Sequence, residues 1–343
     1  MQEKATSFDI AQLAGVSQPT VSRALRGSKS VSETTRQRIE EIARRLNYTV
    51  DKNASSLRSQ QARTLALLIF EDPTPDNSLI NPFFLSMLGS ITRTCALRKY
   101  DLLISFQQES ADWHVDYQDS HKADGLILLG YGDFETYRWR LDRLVDQGAH
   151  FVRWGAVEAG QPGATVGCDN IRGGLDVTRH LLALGRRRIA FLGTATSGSP
   201  EFHDRYRGYE MALREAGLTA SPALRAQAVS TEESGHAGVI DLLASGSPFD
   251  AVVCASDLIA LGAIRGLQQS GLTVPGDVAI TGFDDILAAG FSSPPLTTVA
   301  QDSRAAGEVL VNTLLRAIQK LPVENAMLPA KLVVRRSCGA GGD

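Results

Sequence analysis

A run of polar side chains near the amino terminus has the composition of a DNA-reading surface. It spans residues 17–23 and places hydroxyl, amide and guanidinium groups among apolar residues. Arginine can bind guanine through two hydrogen bonds, glutamine can bind adenine, and serine or threonine can bind phosphates. The candidate DNA contacts in this run are Ser17, Gln18, Thr20, Ser22 and Arg23.

A second group of aromatic and charged side chains follows apolar runs further along the chain. It comprises Phe83, Phe84, Trp154, Arg205, Asp257 and Asp284. Flat rings offer stacking faces, and guanidinium and carboxylate groups offer hydrogen bonds to hydroxyls, so the combination suits a polyhydroxylated sugar. Taken singly, each aromatic ring has roughly even odds of being core, and Asp284 could instead cap a turn.

The first group is predicted to lie on the second of two helices joined by a tight turn. Thr6 and Asp9 have the spacing of a capping box, and Gly15 can take the positive φ that ends a helix. Ser17 is the next predicted N-cap, and Pro19 lies in the first turn, where its missing N–H does no harm. The predicted buried residues are Ile10, Leu13 and Ala14, then Val21, Ala24 and Leu25. This pattern is the helix-turn-helix, whose second helix enters the major groove; the alternative is an ordinary corner of two helices.

A third helix and a basic charge complete this amino-terminal part. The helix is predicted to start at Ser32, with Ile39, Ile42, Ala43 and Leu46 on its buried face. Residues 49–63 contain few apolar side chains and are not expected to fold alone. Residues 1–62 carry ten Lys/Arg and six Asp/Glu, a net charge of +4, so the remainder of this −3 chain carries −7. This asymmetry indicates that the amino-terminal part alone meets phosphate.

From residue 64 onward, short apolar runs alternate with amphipathic helical stretches. The predicted strands are 65–70, 102–106, 126–129, 151–154, 189–192, 251–254 and 278–281, and the predicted helices include 82–97, 204–216, 256–269 and 303–319. The alternation predicts doubly wound parallel sheets, and there are too many strands for one compact sheet. Two lobes are therefore expected, with a ligand cleft beyond the carboxyl ends of the strands.

Several other classes of protein are disfavoured by missing sequence signals. The chain has no G-x-S-x-G, P-loop or G-x-G-x-x-G motif, its six histidines lack metal-ligand spacing, and its four cysteines form no C-x-x-C pair. Catalysis, a cofactor and a metal are therefore not expected. The absence of an apolar leader or a membrane-length apolar run favours a cytoplasmic protein with no membrane partner.

Residues 6–63 resemble the DNA-binding half of the lactose-repressor/galactose-repressor (LacI/GalR) family. The matching motifs are Asp9-Ile10-Ala11, Ala14-Gly15-Val16-Ser17, Thr20-Val21-Ser22-Arg23, Val31-Ser32, Thr35-Arg36, Leu46-Asn47-Tyr48, and Ala54 with Leu57. The resemblance implies that residues 51–59 form a hinge helix on operator DNA and that Leu57 wedges into the minor groove, where unstacking yields a bent duplex. Ser32 and Asn53 join the expected DNA contacts. Val50 stands where relatives usually carry proline, so a less sharply started hinge helix is expected.

The resemblance extends over nearly the whole chain. Its motifs include Cys168-Asp169-Asn170, Leu184-Gly185, Arg188-Ile189-Ala190, Ser256-Asp257, Gly282-Phe283-Asp284-Asp285 and Pro295-Leu296-Thr297-Thr298. It implies a two-lobed, periplasmic-binding-protein-like fold whose chain crosses between lobes near Ala164, Leu296 and Pro322. The implied effector contacts are Phe83, Phe84, Arg205, Asp257, Asp284 and Gln301, whereas Trp154 is inferred from its place after a strand. The long loop at residues 71–81 resembles the branch that senses glucosides and oligosaccharides.

The expected protein is therefore an α/β regulator with three parts. These are a three-helix helix-turn-helix domain at 1–48, a hinge helix with its linker at 49–63, and a two-lobed domain of two doubly wound parallel sheets at 64–343. The first lobe is expected at about 64–164 and 296–322, and the second at about 165–295 and 323–343. The tail has no leucine heptad, so dimers without a tetramerising coil are expected.

The expected function is that of a homodimeric repressor of carbohydrate genes. A small-molecule effector, a sugar, would release it from palindromic double-stranded operator DNA. Two alternatives stay open. One is a regulator whose effector is a nucleobase or a phosphoprotein corepressor, and the other is a cytoplasmic carbohydrate protein with a vestigial DNA-binding head.

Overall fold

The computed structural model describes residues 5–25, 27, 28, 30–48, 61–71 and 80–341. By internal packing, the chain divides into two units, Met1–Ala62 and Arg63–Asp343. Most of the predicted hinge, residues 49–60, lies outside the described residues, as do residues 72–79 of the long loop.

The first unit contains helices α1 (Ser7–Ala14), α2 (Gln18–Leu25) and α3 (Glu33–Arg45). The predicted capping box begins α1, because the Thr6 N–H donates to Asp9 Oδ2 at 2.7 Å and the Asp9 N–H donates to Thr6 Oγ1 at 3.4 Å. Gly15 ends α1 with a left-handed φ of 61°. The start of α1 is thus set by side-chain capping and its end by a glycine in the left-handed conformation, both of which are local in sequence.

The core of the first unit differs from the prediction at one position. Its buried residues are Ile10, Ala11, Ala14, Val21, Ala24, Val31, Ile39 and Ala43. Leu13 was wrongly predicted to be buried: it is 63% exposed, and Ala11 lies inside instead. Ile10, Ala11 and Ala14 form the face of α1 that meets the other two helices, and with about 3.6 residues per turn Leu13 lies outside that face. Leu25, Ile42 and Leu46 pack at the edge of this core.

The first lobe of the second unit is built on a parallel sheet. Its strands, among the described residues, are β1 (Thr64–Ile69), β2 (Asp101–Phe106), β3 (Gly125–Leu129), β4 (Phe151–Trp154), β5 (Ala164–Cys168) and β11 (Ala326–Leu328), in the order β2-β1-β3-β4-β5-β11. Helices α4 (Pro82–Leu97) and α11 (Ser303–Ile318) pack on one face, and α5 (Phe134–Asp146) packs on the other. Short 3₁₀ and π turns lie at Gln107–Glu109 and His114–Asp119.

The second lobe is built on a smaller parallel sheet. Its strands are β6 (Ile189–Leu192), β7 (Arg225–Ala226), β8 (Ala251–Cys254) and β9 (Ala279–Thr281), in the order β7-β6-β8-β9. The helices are α6 (Asn170–Ala183), α7 (Pro200–Glu215), α8 (Glu232–Ala244), α9 (Asp257–Gln269) and α10 (Leu287–Phe291). Strands β10 (Thr298–Gln301) and β12 (Ala330–Val333) pair in antiparallel fashion. None of the helices in the described ranges is long and apolar enough to cross a membrane.

The chain crosses between the lobes a few residues after each of the expected points. Strand β5 pairs with β4, and β11 pairs with β5, so both strands belong to the first sheet beyond the expected crossings at Ala164 and Pro322. Thr297 and Ala300 still bridge to second-lobe residues, which puts the middle crossing after Gln301 and not at Leu296. These strands are short and only partly apolar, so hydrogen bonding to an existing sheet edge decides their lobe.

Candidate functional site

The apolar face of α2 packs into the three-helix core, so the polar face of this helix points away from the core. Val21 and Ala24 are buried in the three-helix core. Arg23 is exposed, and Thr20 and Ser22 are half-buried. This arrangement leaves a guanidinium group and two hydroxyls on one short helix, the second of the pair, and in helix-turn-helix proteins the second helix is the one that enters the major groove.

The remaining DNA candidates have neighbours of their own. Gln18 Nε2 donates to Ser7 Oγ at 3.2 Å, which ties α2 to the start of α1. Ser17 Oγ lies 2.9 Å from Thr20 Oγ1, so it shares a hydrogen bond within the first turn. Ser32 is the N-cap of α3, because its Oγ accepts from a backbone N–H in the first turn. Asn53 and Leu57 lie outside the described residues.

A cleft of about 340 Å³ lies between the two lobes of the second unit. From the first lobe its lining includes Asn81, Phe83, Phe84, Tyr131 and Trp154. From the second lobe the lining includes Ser199, Glu201, Phe202, Arg205, Ser230 and Asp284. The volume falls within the range of about 300–1,000 Å³ that small-molecule sites occupy. The structure thus brings five of the seven predicted effector residues together in one cleft.

The aromatic wall of the cleft is organised by the start of α4. Asn81 caps the helix, since its Oδ1 accepts from the Phe83 N–H at 3.0 Å. The Phe83 ring lies 5.5 Å from Phe84 and 5.8 Å from Trp154, centroid to centroid. Phe83 and Trp154 are each 5% exposed, whereas Phe84 is half-buried. Phe83 and Trp154 therefore support the wall as core residues, and Phe84 presents the larger stacking face.

The guanidinium of Arg205 is held from several sides. Its Nε donates to Asn170 Oδ1 at 2.9 Å, and its Nη1 donates to a backbone carbonyl just after β8. The same Nη1 lies 3.6 Å from Asp284 Oδ1. The guanidinium carbon lies 3.7 Å from the centroid of the Phe283 ring, a cation–π contact. Arg205 is only 5% exposed, so its planar group is fixed before any ligand binds.

Asp284 faces Arg205 from a strained backbone. Its φ of 117° is rare for a residue other than glycine. Gln301 Nε2 donates to Asp284 Oδ1 at 2.6 Å, so Gln301 lies behind the cleft lining and orients a lining residue. Burial raises the pKa of Asp284 to about 6, although Arg205 and Gln301 act in the opposite direction.

Asp257 also lies behind the lining, although we expected it in the cleft. It is fully buried at the start of α9. Its carboxylate accepts from the Thr298 hydroxyl and from the Ile286 N–H, the latter at 2.9 Å. Burial, reinforced by the nearby charge of Asp284, raises the pKa of Asp257 well above its ordinary value. Because one oxygen holds the loop that carries Asp284 and the other holds β10, Asp257 positions the site from behind.

Comparison with known proteins identifies the family. Residues 8–51 match bacterial regulatory proteins of the lacI family, and residues 178–338 match the periplasmic binding protein-like domain. The ribose operon repressor of Haemophilus influenzae is 33% identical over 324 residues, which cover 94% of each chain. The repressor CytR of Escherichia coli K12 is 31% identical and covers 98% of this chain and 97% of its own length.

The chain belongs to the LacI family. A solved Lac repressor dimer bound to operator and the anti-inducer ONPF has a TM-score of 0.82 at 26% identity, covering 98% of this chain and 100% of its own. A complex of the transcriptional regulator CelR with cellobiose has a TM-score of 0.73 at 29% identity, covering 97% and 99%.

Membership of the LacI family decides the class of activity. The chain is a DNA-binding transcriptional regulator with an effector-binding domain, and regulators of this family are not enzymes. LacI-family repressors bind operator DNA and small-molecule effectors and act as dimers. Within the described ranges, no three His, Cys, Asp or Glu side chains are grouped as metal ligands.

Sequence reasoning missed several residues that line the LacI-family cleft. Tyr131 comes two residues after β3, so inspection of every strand end would have found it. Ser230 follows β7, a strand of two residues that has no sequence signal. Glu201 lies in the first turn of α7, in a stretch that we predicted to be loop. No local pattern marks Glu201 as a cleft residue, because its place in the cleft depends on the first lobe, which packs over it and is distant in sequence.

Proposed function

We propose that this regulator is a homodimeric repressor and that a sugar in the cleft releases it from a palindromic operator. The observation that carries the proposal is the combination of the half-buried Phe84 ring with the Arg205 and Asp284 pair in one cleft of about 340 Å³. An aromatic face suits the apolar face of a sugar ring, and a fixed charged pair suits its hydroxyls.

The named relatives support the same effector class. One is a ribose operon repressor, and one solved relative is a complex with cellobiose. A saccharide therefore agrees both with the chemistry of the lining and with two relatives that match over most of this chain.

The coupling to DNA follows from the two-lobed construction. A ligand that contacts both lobes stabilises one arrangement of the lobes. If that arrangement disfavours an ordered hinge, the ligand lowers the affinity for operator DNA. In this proposal the hinge comprises residues 49–63, and Leu57 is its minor-groove wedge. The recognition surface comprises Ser17, Gln18, Thr20, Ser22 and Arg23, with Ser32 and Asn53 as further contacts. A two-fold dimer requires a two-fold operator.

The experiment that tests the effector class is a thermal-shift screen of the full chain. The ligands are mono- and disaccharides, nucleobases and sugar phosphates. A ligand present at about 100 times its Kd stabilises the native state by ~2.7 kcal/mol, so a true effector gives a clear shift. Phe84→Ala should reduce the shift for a sugar, because it removes the accessible stacking face.

The outcomes of the screen separate the alternatives. A saccharide that raises Tm and weakens operator binding supports the proposal. A saccharide that strengthens operator binding keeps the ligand class but makes it a corepressor. A rise in Tm with a nucleobase and no change with any sugar would show that the effector is not a sugar. The assignment as a DNA-binding regulator would still stand.

A further inference from the structure

Glu201 joins the two lobes directly. It lies in the first turn of α7, in the second lobe. Its carboxylate accepts a hydrogen bond from the Tyr131 hydroxyl and another from the Ala156 N–H, the latter at 3.1 Å. Both donors belong to the first lobe. Because every partner is a protein group, these bonds need no effector molecule to form.

A backbone hydrogen bond lies beside this contact and also crosses between the lobes. The Phe134 N–H at the start of α5 donates to the Gly198 carbonyl at 2.9 Å. A Cβ on Gly198 would lie 2.0 Å from an oxygen of Asp133, so the two segments approach closely. Among the residues that the structure describes, three hydrogen bonds join the lobes at this side of the cleft, and two of them end on Glu201.

A buried cation faces Glu201 from the first lobe. Arg153 on β4 is 2% exposed, and its Nε and Nη2 have no hydrogen-bond partner among the described residues. Its guanidinium carbon lies 5.0 Å from the centroid of the Phe134 ring. The absence of a side chain at Gly155 makes room for the pair, because a Cβ there would lie 2.3 Å from Arg153 Nη1 and 3.4 Å from Glu201 Oε1.

The opposite charges of Glu201 and Arg153 favour the arrangement in which the two lobes are in contact. A buried guanidinium with unpaired N–H groups is unfavourable unless an opposite charge lies nearby. Glu201 supplies most of that charge when the lobes are together, and Glu158 of the first lobe adds a smaller part, so moving Glu201 away would leave Arg153 poorly compensated. Electrostatic attraction in the low-dielectric interior therefore favours the closed arrangement, in which the lobes touch at Glu201 as they do in this structure.

We propose that Glu201 is a positioning residue that latches the lobes together through Tyr131 and Ala156, with Arg153 as its buried counter-charge. The latch sets the equilibrium between closed and open lobes, and thereby the affinity for any effector that binds one of these states better. The proposal does not depend on the effector being a sugar, and its test uses no effector.

The test is hydrogen–deuterium exchange of the intact protein, read at single amides by mass spectrometry with electron-transfer fragmentation. The reporters are the Ala156 and Phe134 amides, whose bonds cross between the lobes. The reference is the neighbouring Gly155 amide, which donates to the Val166 carbonyl within the first lobe at 3.0 Å. Glu201→Ala should speed exchange at both reporters about tenfold and leave Gly155 unchanged.

Two further variants separate the latch from a general loss of stability. Tyr131→Phe keeps the ring but removes one hydroxyl, so it should speed exchange at the reporters less than Glu201→Ala does. Glu233→Ala removes an exposed glutamate from the first turn of α8 and should leave all three amides unchanged. This control matters because Glu201 and Glu233 both lie at helix N-termini, where a carboxylate is stabilising.

The counter-charge is tested by Glu201→Gln, which keeps an acceptor oxygen and loses the charge. It should speed exchange at Ala156, and adding Arg153→Met should slow that exchange again. If Glu201→Gln behaves as the parent protein does, Arg153 is not the counter-charge. If Glu201→Ala leaves the reporters unchanged, or speeds Gly155 to the same extent, Glu201 does not latch the lobes.

Discussion

At the scale of single residues, the effector cleft depends on groups that stand behind its surface. Arg205 is oriented by Asn170, and Asp284 is oriented by Gln301. Asp257 holds the loop that carries Asp284. A charged pair fixed in this way can bind a ligand without first reorganising, which is the general advantage of a preformed polar site.

The raised pKa of Asp284 predicts a pH-dependent stability. The folded chain takes up a proton as the pH falls through about 6, whereas an unfolded aspartate does so near 3.8. The folded state therefore gains stability as the pH falls through this window, and the gain is lost as the pH rises through about 6. The Tm of the parent protein should rise relative to that of Asp284→Asn, by a few degrees, between about pH 7 and pH 5. Parallel Tm profiles would show that Asp284 does not titrate there.

Arg23 is expected to read a base and not only to meet phosphate. Arg23→Ala should weaken binding to the specific operator by about 1–3 kcal/mol and have a much smaller effect on random DNA. The matched control is Arg44→Ala, which removes the same charge from the exposed last turn of α3. Fluorescence anisotropy at one fixed salt concentration measures both DNAs. Equal losses on both DNAs would reduce Arg23 to a phosphate contact.

At the scale of elements, the position of Arg205 follows from the close packing of α6 against α7. A Cβ on Gly174 would lie 2.1 Å from the Arg205 carbonyl, and a Cβ on Gly208 would lie 2.1 Å from the Ile171 carbonyl. The two helix backbones thus touch at two glycines. This close packing fixes the position of α7 in the second lobe and therefore the position of Arg205 in the cleft.

Gly208→Ala is therefore expected to push α6 and α7 apart. Overpacking of this kind costs about 1–3 kcal/mol, and here the obstacle is backbone that cannot rotate away. Urea denaturation of the full chain measures the free energy of unfolding. Gly290→Ala in α10 is the control, because nothing lies within 4 Å of its added Cβ. If the two variants have the same free energy of unfolding, α6 and α7 can accept an added methyl group at Gly208, and the proposed close packing is wrong.

At the scale of the whole molecule, the two units carry opposite charge and separate tasks. Residues 1–62 are basic with a net charge of +4, and the rest of the chain is acidic. A basic unit attracts the DNA backbone, while an acidic body does not compete for it. The predicted hinge, residues 49–63, joins the two units along the chain.

Leu57→Ala tests that segment. If Leu57 is the minor-groove wedge, its loss should weaken operator binding, because the duplex is no longer held bent. Effector affinity should stay near that of the parent protein. Anisotropy with operator DNA and a thermal-shift titration with a cleft ligand measure the two quantities separately. An equal loss of both would assign Leu57 to the folding of the regulator and not to the hinge.

The sequence by itself determined the features that depend on neighbours along the chain. Thr6, Asp9 and Gly15 set the bounds of α1, and continuous apolar runs located β1, β4, β6 and β8 to within a residue or two. Capping bonds and apolar periodicity act over a few residues, so they can be recognised without knowing the fold. The order of such elements was enough to predict two parallel-sheet lobes with a cleft.

Only the tertiary structure decided which residues meet across that cleft. Strands β5 and β11 joined the first sheet because its edge offered hydrogen bonds, and Asp257 turned inward because Thr298 and Ile286 supplied donors. Tyr131 and Glu201 are 70 positions apart, yet they bond where the lobes meet. Such pairs arise from the packing of whole lobes, which no local pattern encodes.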